Sequence, residues 1–151
     1  MATTALALLD AFMADIAAGA FSWTSDVGTE QFSSVRKVPR GVPLERLLLN
    51  AQFPLALVEG DHGRPFRSTP VWEDRGFTLR VFLAHGHDEQ GESLSRSLTA
   101  LGDALYDTFH HQQDNAVWLA GDNDDGASFA SSDGTLLVVK TWEFSYRLRR
   151  S

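Results

Sequence analysis

Two histidines separated by one residue, His85 and His87, form the pair best suited to chemistry in this chain. Alternate positions of a strand face the same side, so both imidazoles could bind one metal ion. His62 and Asp88 are further candidate ligands, but no spacing in the chain fixes a third ligand. We therefore expect a polar strand-to-helix turn here, and no metal site is assigned.

The acidic segment 121–134 is the second group of possible ligands. Asp122 and Asp124 stand at the first and third positions of a possible calcium-binding loop, and Asp125 follows them. An EF-hand also requires glycine at the sixth position and glutamate at the twelfth, and this chain has neither there. The segment is predicted to be a solvated acidic loop.

Enzyme motifs are absent from the sequence. The chain has no cysteine, which excludes disulfides, thiolate catalysis and cysteine–zinc sites. It contains no Gly-x-Ser-x-Gly elbow, no Gly-x-x-x-x-Gly-Lys phosphate loop and no Gly-x-Gly-x-x-Gly turn. Its four tryptophans could stack on bases or sugars, but large aromatics in a small domain more often fill the core. We predict a protein that is not an enzyme, with no catalytic residue and no cofactor.

Charge is unevenly distributed along the chain. The net charge of −7 argues against wrapping nucleic acid, which requires clustered Lys and Arg. No Lys or Arg lies between Arg96 and Lys140, where several aspartates occur, whereas the C-terminus is basic. Subunits with one acidic and one basic region can associate head to tail and close into a ring. The predicted interface residues are Asp122, Asp124, Asp125, Arg147, Arg149 and Arg150.

A strand followed by a long helix is the predicted centre of the fold. Alternation over 77–84 places four apolar side chains on one face: Phe77, Leu79, Val81 and Leu83. The period then changes to three and four residues, which predicts a helix over 88–110, about 30 Å long. Its apolar stripe consists of Leu94, Leu98, Leu101, Leu105 and Phe109. Asp88 is its expected N-cap.

The other elements follow from shorter patterns. In chain order we expect a helix over 4–18, an irregular segment or weak strand over 21–34, a strand over 34–38, a short helix over 43–49, and strands over 53–59, 67–73, 77–84, 116–119 and 135–148. A tight turn at 74–76 is predicted to join two of these strands in a hairpin. The buried stripe of the first helix is predicted to be Leu6, Leu9, Phe12, Met13 and Ile16.

This order predicts one α+β domain with a mainly antiparallel, mixed sheet and two main helices packed on one face. At 151 residues the chain is long enough to bury a real core, and it shows no signal peptide or membrane-spanning run. The strand over 135–148 would extend about 40 Å, which is longer than such a domain needs. A partner-facing edge or a projecting arm is expected there.

The arrangement resembles the small tail terminator and tail-completion (head-tail joining) proteins of long-tailed bacteriophages and related phage-like particles. The resemblance rests on the order of elements: the helix over 4–18, the stretch 36–49 before the apolar strand 54–59, the hairpin 69–84 running into the helix 88–110, and the final strand 136–149. It implies a homo-hexameric ring that caps the tail tube, stops its polymerisation and forms the joining surface to the head or neck.

The same resemblance implies the partners and the location. These are further copies of the chain, the tail tube protein and a head-neck connector protein, within a virion tail or neck assembled in the host cytoplasm. DNA would pass through the channel without specific binding, and no membrane is involved. Other functions stay open: another neck, head-closure or baseplate component, a small metal- or ligand-binding α+β domain near His85 and His87, or a homodimer that pairs through the edge of strand 135–148.

Overall fold

A computed structural model describes residues 4–26, 28–38, 43–48, 50–60, 67–68, 71–85, 91–109, 117–123, 128–130 and 136–149. Within these residues the chain forms three helices and nine strands. In order they are α1 (Ala5–Ile16), β1 (Trp23–Ser25), β2 (Gly28–Glu30), β3 (Ser34–Lys37), α2 (Leu44–Leu48), β4 (Leu55–Glu59), β5 (Arg67–Ser68), β6 (Trp72–His85), α3 (Gly91–Phe109), β7 (Val117–Asn123), β8 (Ser128–Ala130) and β9 (Leu136–Arg149).

The main sheet has the strand order β3-β4-β6-β9-β7, with β5 added to β6 and β8 added to β9. Strands β3 and β4 are parallel, and the remaining pairs in this sheet are antiparallel. The two longest strands, β6 and β9, pair along their whole length from Trp72 opposite Arg149 to His85 opposite Leu136. The predicted α+β domain with a mainly antiparallel, mixed sheet is confirmed.

One face of the sheet carries both main helices, as predicted. The sheet contributes the predicted apolar residues of β6 together with Trp142, Phe144 and Tyr146 of β9. The stripe of α3 is buried from Leu98 to Phe109, and Leu94 packs against it. The rings of Phe12 and Phe77 meet edge to face at 4.7 Å between centroids, which brings α1 onto the centre of the sheet.

The first helix departs from the prediction at one residue. Thr4 caps it through its Oγ1, which accepts the N–H of Ala7 at 3.1 Å. Leu9, Phe12 and Ile16 are buried, but Leu6 is 57% exposed. At 3.6 residues per turn Leu6 lies about 90° around the helix from the direction that the buried residues share, and it therefore misses the sheet.

The opposite face of the sheet is apolar over only part of its area. Leu55 and Leu57 of β4, Phe82 of β6 and Val139 of β9 form a second buried cluster there. The short helix α2 covers this cluster with Leu47 and Leu48. The strand alternation predicted for 77–84 therefore serves two cores, because Phe82 points away from its neighbours Val81 and Leu83.

The predicted turn at 74–76 is wrong. These residues continue β6, and β9 pairs with them through Arg147, Tyr146 and Ser145. Strand β5 pairs with Asp74 and Glu73, so the chain reverses between Ser68 and Trp72 instead. Asp and Gly favour a turn locally, but the continuous ladder to β9 outweighs that preference.

The predicted role of strand 135–148 as a free edge is also wrong. Strand β9 lies inside the sheet, with β6 on one side and β7 and β8 on the other. The predicted acidic loop 121–134 is shorter than expected for the same reason, because β7 extends to Asn123 and β8 occupies Ser128–Ala130. A homodimer formed by pairing along β9 is therefore excluded by this topology.

A separate hairpin forms where the sequence predicted an irregular segment or a weak strand. Strands β1 and β2 pair from Trp23 opposite Glu30 to Ser25 opposite Gly28. Trp23 lies in the core on the helix side, where its ring contacts Phe32. Among the described helices, none is long and apolar enough to cross a membrane.

Candidate assembly surface

The described members of the predicted interface lie at separate places along the β7–β9 ladder. Asp122 is opposite Trp142 of β9, close to the end of β7, whereas Arg147 and Arg149 lie further along β9. From position 142 to position 149 the strand advances about 23 Å at 3.3 Å per residue. Asp124, Asp125 and Arg150 lie outside the described residues. The acidic and basic positions are therefore well separated along one strand direction.

Arg147 is held by its own chain. Its Nε donates to Oδ1 of Asp74 at 2.7 Å, and one terminal nitrogen donates to Oδ2 at 3.1 Å. The carboxylate of Asp74 is 4% exposed and the Arg147 side chain is 42% exposed. The hydrogen bonds to Asp74, and then its negative charge, raise the pKa of Arg147 above its ordinary value. The first of the three predicted basic interface residues thus serves the fold.

Asp74 is the residue that the sequence analysis missed, since it was assigned to a turn. Its register partner on β9 is Arg147, directly opposite on the ladder. A single strand over 72–85 would have placed a carboxylate and a guanidinium side by side on the same face. The pairing was missed because the turn preference of residues 74–76 led to the prediction of two strands where the structure has the single strand β6.

Polar side chains line the part of the sheet that α2 leaves uncovered. We call this set the polar strip: Glu59 of β4, Asp74, Thr78 and Arg80 of β6, and Thr141, Glu143, Ser145 and Arg147 of β9. Arg80 forms an ion pair with Glu59 at 3.5 Å, and Thr78 donates to the same carboxylate. The Nε of Arg80 is buried and has no hydrogen-bond partner among the described residues. The strip therefore mixes both signs of charge.

A buried polar chain joins the β1–β2 hairpin to α3. The indole N–H of Trp23 donates to Oγ of Ser97 at 3.0 Å, and the Ser97 hydroxyl donates to Glu30 at 3.0 Å. Ser97 is 1% exposed, so its hydroxyl is not accessible as a nucleophile. An ion pair between Arg96 and Asp26 lies beside this chain at the surface. These contacts fix the hairpin in place, and the sequence analysis did not find them because the partners are far apart in the chain.

The histidine-based metal site stays an alternative to the predicted polar turn. His85 ends β6, with its backbone opposite Leu136, while His62, His87 and Asp88 lie outside the described residues. Within the part of the chain that the structure describes, no three His, Asp or Glu side chains are grouped so that they could hold a metal ion.

Comparison with known proteins gives no further guide. No family model, no curated protein and no solved structure matches this chain. The fold and the distribution of charge are therefore the features from which a function has to be inferred.

Proposed function

We propose that this protein is a non-enzymatic, ring-forming subunit of a phage tail or phage-like particle, and that it acts as the tail terminator. In this role a hexameric ring caps the tail tube, stops its polymerisation and joins the head or neck. The observation that carries the proposal is that acidic and basic positions lie at opposite edges of the main sheet, with Asp122 on β7 and Arg36 and Lys37 on β3.

Separated charges favour a head-to-tail contact. A heterologous interface requires two different, complementary surfaces on one subunit, and it closes into a ring when the rotation between neighbours is right. Opposite charges on the two surfaces orient the subunits and suppress head-to-head encounters. The acidic positions Asp122, Asp124 and Asp125 supply one such surface, and basic residues elsewhere in the chain supply the other.

The acidic character also suits a channel for DNA. A net charge of −7 gives the assembled ring a negative field, which does not retain a passing phosphate backbone. The partners in this proposal are other copies of the chain, the tail tube protein and a head-neck connector protein. The location is the virion tail or neck, after assembly in the host cytoplasm.

The test is the assembly state of the full chain. We expect light scattering over a concentration series to give a hexamer, and negative-stain images of the same sample to show six-fold rings with a central hole. Purified tail tubes of the same particle are then added, and the protein is expected to sediment with them and stop their growth. A monomer that neither forms rings nor binds tubes would rule out the proposal.

A charge-neutralised variant tests the carrying observation. We expect Asp122→Asn/Asp124→Asn/Asp125→Asn to weaken ring formation, because three of the acidic charges are removed. The matched control is Asp10→Asn/Asp15→Asn/Asp103→Asn, which changes the net charge equally at exposed positions on α1 and α3. Equal weakening by both variants would mean that only total charge matters. Binding to the connector without binding to the tube would assign the protein to the neck instead.

A further inference from the structure

The main path of the sheet ends in β3 on one side and β7 on the other, and each pairs with one strand among the described residues, as do the added strands β5 and β8. The N–H groups of Ser34 and Val38 donate to Pro54 and Val58, next to or within β4. Because alternate residues of a strand bond to opposite sides, the N–H groups of Val35 and Lys37 face away from β4. The outer edge of β3 thus offers backbone groups for another strand.

The two edge strands run in opposite directions. β3 is parallel to β4, and three successive antiparallel pairs then lead from β4 through β6 and β9 to β7. If two copies stand side by side in the same orientation, β7 of one copy is antiparallel to β3 of the next. Antiparallel pairing is the more stable kind. Because β3 and β7 run in opposite directions, the sheet of one copy can continue into the sheet of the next through an antiparallel pair.

The registers also place opposite charges at the same height. Tracing the Cα partners across the sheet gives one row of Lys37, Val58, Leu79, Trp142 and Asp122, and a neighbouring row of Arg36, Leu57, Arg80, Thr141 and Asn123. Copies that stand side by side without an offset would therefore bring Lys37 opposite Asp122. Opposite charges at directly paired positions of an antiparallel ladder are favourable.

A closed ring favours such a contact over one with the C-terminal arginines. Each subunit in a ring lies at the same height along the axis, and an offset between neighbours produces a helical filament instead. With the strands along the axis, Lys37 and Asp122 meet without an offset. For Arg149 to meet Asp122, neighbouring copies would have to be offset by about 23 Å, at 3.3 Å per residue.

We propose that β3 of one copy pairs antiparallel with β7 of the next copy, with Lys37 opposite Asp122, so that the sheet continues around the ring. This inference rests on the proposed ring-forming function and names the surface through which the ring closes. The occupant of each edge is a second copy, because one chain carries both halves of the contact. The basic C-terminus is then available to a partner along the ring axis.

Disulfide cross-linking tests the contact directly, because the native chain has no cysteine. In Lys37→Cys/Asp122→Cys the two thiols of one chain are four strand spacings apart, about 19 Å, which is too far for a disulfide within the chain. Mild oxidation is expected to give a covalent ladder ending at the ring size. The controls Asp122→Cys/Arg149→Cys and Asp10→Cys/Asp107→Cys are expected to give no ladder.

Charge reversal provides the second measurement. Lys37→Asp is expected to weaken association about tenfold, since it places like charges opposite each other, and Lys37→Asp/Asp122→Lys is expected to restore most of it. Circular dichroism checks that each variant is folded. The inference would be overturned if rings formed without the cross-linked ladder and without this rescue. It would also be overturned if the Asp122–Arg149 pair gave a ladder. Either result would leave the proposed function standing. Absence of assembly both alone and on tail tubes would overturn both.

Discussion

Asp74 decides what the basic end of this chain can do. Its carboxylate is nearly inaccessible to water, and a buried carboxylate is costly unless it is paired. Arg147 supplies a two-point contact, the geometry in which a guanidinium binds a carboxylate best. The charge that this end offers to a partner is therefore left to the arginines that follow in the sequence.

Removing the guanidinium is expected to destabilise the fold. Arg147→Ala should lower the free energy of unfolding by about 1–2 kcal/mol, because Asp74 stays buried without its partner. The loss is smaller than for a fully enclosed pair, since water screens the half-exposed arginine. Arg147→Lys should lose less, because an ammonium group keeps the charge but not the two-point geometry. Urea unfolding at pH 7 measures both, and an unchanged midpoint for the alanine variant would contradict this account.

The Arg147–Asp74 pair also predicts a pH range over which its contribution to stability does not change. The pKa of Arg147 is raised in the folded state, so its contribution is fully present below the unfolded value and is lost only as pH rises through the raised pKa. The stability difference between the native chain and Arg147→Ala should therefore stay constant between about pH 6 and 9, where arginine does not titrate. Urea midpoints across this range check it. A difference that grows or shrinks steadily would point to another titrating group.

At the scale of one element, helix α3 has a glycine in its interior where a larger residue would fit. Gly102 lies in the middle of the helix, near the face that meets β9. A Cβ added there would lie 3.5 Å from Nε1 and 3.7 Å from Cζ2 of Trp142, which is ordinary van der Waals contact. Glycine in a helix interior is unfavourable relative to alanine. The space beside Trp142 thus permits a more stable residue than the one present.

We expect Gly102→Ala to raise the free energy of unfolding by about 0.5–1 kcal/mol, through helix propensity. The matched control is Gly19→Ala, for which a decrease of about 1 kcal/mol is expected, because Gly19 has a φ of +86° that alanine adopts poorly. Thermal unfolding of the two variants measures the opposite signs. Destabilisation by Gly102→Ala would show that Trp142 cannot tolerate the added methyl group.

At the scale of the whole molecule, one sheet supports two cores. Leu57 and Val58 are neighbours on β4, yet one belongs to the cluster under α2 and the other to the cluster under α1 and α3. The same alternation occurs on β6 and β9. Because the strands are shared, neither core can be lost while the other stays intact.

Unfolding is therefore expected to be a single cooperative transition. Phe82→Ala, on the α2 side, and Leu79→Ala, on the opposite side, should each lower the free energy of unfolding by about 2–5 kcal/mol and shift the same transition. Tryptophan fluorescence follows the core at Trp23 and Trp142, and far-ultraviolet circular dichroism follows the backbone. Transitions that separate in either variant would show that the two cores unfold independently.

Local patterns in the sequence were sufficient for the elements whose structure depends on near neighbours. The buried residues Leu9, Phe12 and Ile16 of α1, the stripe of α3 and the apolar face of β6 follow from periods of 3.6 and 2, which any short segment reveals. Even there, the exposure of Leu6 depends on where the helix lies on the sheet.

Only the tertiary structure decided which strands are neighbours. The continuation of β6 through 74–76 and the pairing of Arg147 with Asp74 arise from contacts between residues about 70 positions apart in sequence. The inner position of β9 also needs its pairing with β7 and β8 on the other side. The common height of Lys37 and Asp122 depends on four successive registers, and a slip of one residue in any of them would change it. The sequence showed an acidic chain with a basic C-terminus, but strand pairing determined which charged residues lie at the same height on the sheet.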